Sequence, residues 1–170
     1  DVAEPAVTEL YIDGEQQELP EKQKTYNVRE GQEVKIKGHF ILSNANIAEV
    51  KLQSNLTDCN RMFSGCELSV APIIPNGVTN CEGMFSGCAS LIEAPVIPST
   101  VTNCDNMFSY CTNLTEAPII PNSVTNCNSM FDGCASLTEA PVIPEGVTDC
   151  RNMFFFCGNL EKLPQENVDL

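Results

Sequence analysis

The 170-residue sequence predicts an α/β solenoid of short strands and short helices, preceded by a small N-terminal β cap. Three observations carry that prediction. Ten cysteines form five Cys-x6-Cys pairs, at 59/66, 81/88, 104/111, 127/134 and 150/157, with first members 22 or 23 residues apart. Met-Phe follows three residues after each first cysteine, and those sites use all five methionines. Ala-Pro-(Val/Ile)-Ile-Pro recurs from 71, 94, 117 and 140. A fixed period of this length marks stacked units, none of which can bury its apolar face alone.

Five units run from 46 to 159, and 160–170 reads as a partial repeat or tail that begins Leu160-Glu-Lys-Leu-Pro164. The third unit, 91–113, shows the expected construction. Leu91, Ala94 and Val96 match the L-x-x-L-x-L skeleton of a leucine-rich repeat. Val101 turns inward after Pro98. Cys104, Met107, Phe108 and Cys111 then stand at i, i+3, i+4 and i+7, the apolar stripe of a short helix. Thr102 fits as its N-cap, and Thr79 with Glu82 repeats the capping-box spacing. Gly65, Gly87 and Gly133 fall near the helix end, where a left-handed residue costs little. Tyr110 and Phe156 occupy the same slot, so glycine is not obligatory there.

The extended half carries proline at 72, 95, 118 and 141, and again at 75, 98, 121 and 144. Proline donates nothing to a ladder. Strands of two or three residues around Val96 are therefore expected, beside polyproline-like backbone. Units should stack at roughly 5 Å. Residues 1–45 lack the repeat. Val7 to Ile12, Thr25 to Val28 and Glu33 to Leu42 have strand character, with turns at Asp13-Gly14 and Glu30-Gly31. The segment reads as a cap on the open end of the solenoid, or alternatively as a separate binding module.

The run Val-Thr-Asn-Cys-x-x-Met-Phe-Ser-Gly-Cys-x-x-Leu at 78–91 resembles the BspA-like leucine-rich-repeat proteins of bacterial surfaces. The resemblance covers about 46–160 and recurs five times. The chain departs from the family pattern by placing Cys where Met is frequent, and by its doubled prolines. The resemblance implies an exported, extracellular or cell-surface protein, a lipoprotein anchor being one route, and adhesion to host proteins or other cells. It brings no catalytic residues. No signal with a basic start and an apolar stretch is visible in the chain.

Composition excludes several classes. With 23 acidic and 9 basic side chains the net charge is -14, which argues against nucleic-acid binding. The longest uncharged apolar run, Val70 to Pro75, is too short to span a bilayer. No nucleophile elbow, phosphate loop or paired catalytic carboxylate motif is present, and His39 has no recognisable nucleophile partner. No cofactor is expected, and x6 spacing does not suit a metal cluster.

The cysteines form two expected ladders: Cys59, Cys81, Cys104, Cys127 and Cys150, and Cys66, Cys88, Cys111, Cys134 and Cys157. One reading is a disulfide framework, the other a pair of columns of small buried hydrophobes. Across a helix the two cysteines of one unit would lie roughly 10.5 Å apart, beyond disulfide reach. Each ladder has five members, so neither can pair completely.

Arg61 and Arg151 bracket residues 62–150, which hold nine acids and no Lys or Arg. Glu93, Glu116 and Glu139 share one repeat position, beside Pro95, Pro118 and Pro141. They are either a solvated face, a cation site or a docking surface for a basic partner. The resulting expectation is a monomeric, non-enzymatic adhesion protein recognising a protein or glycan through these six residues. The alternative is a structural spacer that presents another module.

Overall fold

The computed structural model describes residues 7–12, 15–17, 34–38, 52 and 54–162. The chain divides into two compact units, 1–40 and 41–170. In the first, β1 (Val7–Ile12) pairs antiparallel with β2 (Glu15–Gln17) and with β3 (Val34–Gly38), giving the order β2-β1-β3. The β1–β3 register shifts between Val7 and Glu9. β1 occupies the residues expected for a strand, and β3 lies within 33–42. The expected strand at 25–28, both expected turns and His39 lie outside the described residues.

The repeat unit is a solenoid whose rungs are joined by two rows of parallel bridges. One row runs Asp58, Asn80, Asn103, Asn126, Asp149; the other joins Val70 to Glu93, Glu93 to Glu116, and Glu139 to Lys162. Among the described residues of the repeats there is no helix, so the expected helix over 104–111 is corrected. The segment is instead a ribbon of overlapping turns. Met107 donates its amide to the Cys104 carbonyl, Ser109 to Asn106 and Cys111 to Phe108. The intervening amides of Cys104, Asn106, Phe108 and Tyr110 point along the solenoid and donate to Asn126, Asn128, Met130 and Asp132 of the next unit, at 2.6–2.9 Å.

An isolated eight-residue helix is marginal in water, whereas this ribbon lets alternate amides bond across every rung. The turns closed by the Met107 and Cys111 amides need a left-handed third residue, as in type II geometry. Asn106 has φ 54° and Tyr110 φ 59°, and the equivalent Gly83 and Gly87 have 57° and 77°. The glycine slot is left-handed, as expected, although the helix expected before it does not form.

The expected N-cap is also corrected. The Thr102 hydroxyl donates to the Thr79 carbonyl one rung back, 3.2 Å. The carboxamide of Asn103 does the local work, its Oδ1 accepting the Asp105 amide at 3.1 Å. Asn80 and Asn126 make the same Asx turn. This is the ordinary habit of Asn, whose short side chain bonds backbone two residues on.

The apolar stripe itself is right. Cys104, Met107, Phe108, Cys111, Leu114 and Val101 are fully buried. Phe63, Phe85, Phe108, Phe131 and Phe154 stack in one column, with ring centroids 5.6–5.9 Å apart and planes within 8°. Val96 is corrected: it is 86% exposed, while Ile97 beside it is buried. The bridging positions are Glu93 and Asn103 rather than residues around Val96. In the first three copies of Ala-Pro-(Val/Ile)-Ile-Pro the second aliphatic residue (Ile74, Ile97, Ile120) enters the core and the first faces water; in the fourth, Ile143 is half-buried.

Candidate functional site

The two cysteine ladders are interior features. None of the ten cysteines is joined in a disulfide; Cys150 is exposed, Cys157 half-buried and the other eight buried. Burial pushes the thiols up, reinforced by ladder neighbours or, at Cys59, by the Asp58 carboxylate. Cys59, Cys88, Cys127 and Cys134 rise to about 12, and Cys81, Cys104 and Cys111 rise as well. A thiol held protonated is neither a nucleophile nor a metal ligand at neutral pH. Because the segment is not helical, the 10.5 Å separation expected within one unit does not apply.

The second ladder is more than hydrophobic filler. The Cys88 Sγ donates to the Phe63 carbonyl at 3.0 Å, Cys111 to Phe85 at 3.1 Å, Cys134 to Phe108 at 3.1 Å and Cys157 to Phe131 at 3.0 Å. Each reduced thiol therefore ties one rung to the rung before it.

The carboxylate column lies on the extended half. Glu93, Glu116 and Glu139 are exposed, and Glu93 and Glu116 are bridged in register. Pro95, Pro118 and Pro141 are only half-exposed, so they stiffen this face more than they present themselves. The cations bracketing the acidic stretch pair at its ends. Arg61 reaches Glu82 at 3.9 Å, Arg151 holds Asp149 at 2.7 Å and Lys162 approaches Glu139 at 3.7 Å. Glu139 is thus partly compensated by a lysine from beyond the 62–150 stretch, although so exposed a pair contributes little. Glu93 and Glu116 make no ion pair among the described residues. No group of three or more His, Cys, Asp or Glu side chains there converges to hold a metal ion.

Sequence reasoning missed a second column beside the first. Ile73, Val96 and Ile119 are 86–89% exposed, and Val142 is 46% exposed. They occupy one repeat position, three residues after the acidic one. The signal was present in the doubled aliphatic pair between prolines, which cannot both face inward on extended backbone.

A sequence model of the BspA type leucine-rich repeat region matches residues 35–161, in six copies. The chain belongs to the BspA-type leucine-rich-repeat family. The match begins at residue 35, inside the segment read as a cap. No curated protein and no solved structure matches the chain. In this BspA-type chain the ladders of Phe, Met and Cys build the buried scaffold.

Proposed function

We propose that this BspA-type chain is a non-enzymatic binding protein of a bacterial surface, which recognises a protein or glycan partner through the extended half of its repeats. The observation that supports this most is the exposed carboxylate column. Glu93 and Glu116 stand in register on a proline-stiffened backbone, within a stretch of 89 residues that has no Lys or Arg. A rigid surface loses little conformational entropy on docking, and same-sign charge favours a basic partner and fast, salt-sensitive association.

The experiment begins with a partner found by array or pull-down. Glu93, Glu116 and Glu139 are then changed together to Gln, which keeps shape and removes charge. Affinity at low salt should fall at least several-fold, and its salt dependence should flatten. Unchanged affinity would reject this face and direct attention to residues 1–45.

A further inference from the structure

Of the nine large hydrophobic residues that are exposed among the described residues, six lie on the extended half: Val70, Ile73, Ile92, Val96, Ile119 and Val142. Scattered exposed aliphatics need no explanation, but a contiguous row does. Ile73, Val96, Ile119 and Val142 form such a row, running along the solenoid axis. The acidic column runs parallel to it, three residues away along extended backbone, hence within about 10 Å.

We infer that this pair of columns is a seat for a cationic amphipathic helix of about three turns, lying along the solenoid axis. The inference rests on the reading of this face as the binding surface and adds the chemical class of its occupant. Two arguments carry it. The first is pitch. Neighbouring rungs are spaced at about 4.8 Å, and the stacked phenylalanines at 5.6–5.9 Å. Residues on one face of a helix recur at about 5.4 Å per turn, between these values. Residues on one face of a strand recur at about 6.7 Å, and fall out of step within two rungs.

The second argument is charge and width. A helix is about 10 Å across, so one resting its apolar stripe on Val96 and Ile119 brings flanking Lys or Arg over Glu93 and Glu116. Those two carboxylates have no cation of their own among the described residues. A helix laid in an apolar seat with flanking charge contacts is a recurrent mode of peptide recognition. An acidic helix would meet like charge and be rejected.

The test uses the whole chain and two synthetic peptides of about fourteen residues with the same leucine and lysine composition. One has leucine at helical spacing; its isomer alternates leucine and lysine and favours a strand. Affinity is read by fluorescence anisotropy, and bound conformation by circular dichroism. The helical peptide should bind at least tenfold more tightly than its isomer and gain helicity when bound. Val96→Glu should weaken it at least tenfold.

That substitution adds negative charge, so attraction by charge alone would strengthen binding; equal or tighter binding to the Val96→Glu chain overturns the inference. Tighter binding of the alternating isomer, lost on Glu93→Gln/Glu116→Gln, also overturns the helix while leaving the face as the binding surface. If neither peptide's affinity responds to substitution at Val96, Glu93 or Glu116, the helix seat is overturned and so is the face.

Discussion

Tyr110 lies across Gly133, one rung on: a Cβ added to Gly133 would come within 2.7 Å of the tyrosine Cδ1. Both residues occupy the left-handed turn slot, with φ 59° and 72°. Where one rung places a tyrosine there, the next keeps the space beneath its ring. Gly133→Ala should therefore cost about 1–2 kcal/mol, the usual penalty for a side chain in left-handed backbone, plus displacement of the ring. Tyr110→Gly in the same chain should recover the second part and not the first. Urea melts of both single variants and the double variant give the coupling energy; strict additivity would show that the ring does not press on residue 133.

The phenylalanine column makes a sharper demand. Phe108 is fully buried between two parallel rings, so Phe108→Ala should destabilise by about 3–5 kcal/mol. Phe154, stacked on one side and only half-buried, should cost less. Phe155→Ala and Phe156→Ala, at exposed sites, should change stability little. An unchanged melting temperature for Phe108→Ala would contradict the register of the stack.

Much of this was legible in the sequence, and the reason is periodicity. Five copies of one pattern identify which positions share an environment, and burial of Met107, Phe108, Leu114 and Val101 follows from that alone. The backbone of the Cys104–Cys111 segment was not legible. Apolar residues at i, i+3, i+4 and i+7 satisfy both a helix and a ribbon of overlapping turns. The deciding quantity, the cross-rung bonds of alternate amides such as Asn106 to Asn128, exists only once units are stacked. Val96 was not separable from Ile97 for a similar reason: the two are alike in chemistry, and only their alternation about extended backbone separates water from core.

The two cysteine ladders should answer differently to serine. A serine at 111 can still donate to the Phe85 carbonyl that the thiol now serves. A serine at 104 places a hydroxyl in a fully buried site where the thiol makes no hydrogen bond. An unsatisfied buried polar group costs about 1–3 kcal/mol. Cys104→Ser should therefore be the more damaging of the two by at least about 1 kcal/mol in denaturant melts. The reverse order would show that the sulfur-to-carbonyl bonds contribute nothing.

Alkaline pH should loosen the solenoid. Folding pushes Cys59, Cys88, Cys127 and Cys134 up to about 12, whereas an unfolded cysteine titrates near 8.5. A raised folded value means the stabilisation is complete below about pH 8.5 and is lost as pH rises towards 12. Urea midpoints should fall steeply between pH 8.5 and 10.5, with release of several protons on unfolding. In the native chain at pH 8, a thiol-alkylating reagent should modify exposed Cys150 first, as peptide mapping would show. A flat stability profile up to pH 10.5 would mean that the ladder thiols are solvated.

Asp132 departs from the serine of its column, as Phe155 does in the unit after it. The equivalent positions in the three preceding units are Ser64, Ser86 and Ser109, and Ser109 is buried. One carboxylate oxygen of Asp132 is shielded from solvent without a hydrogen-bond partner, and desolvation raises its pKa above the ordinary carboxyl value. The sign follows directly. With the folded value raised, the protonated form is the one the fold tolerates, so the penalty is present at neutral pH and vanishes below about pH 4. Asp132→Ser restores the residue used by the three preceding units and removes the charge. It should stabilise the chain by about 1 kcal/mol at pH 7, and the advantage over the parent should shrink as pH falls from 6 to 3.5. Paired urea melts at those pH values measure it. A loss of stability at pH 7, or a gain that persists undiminished at pH 3.5, would show that the carboxylate is accommodated in its charged form.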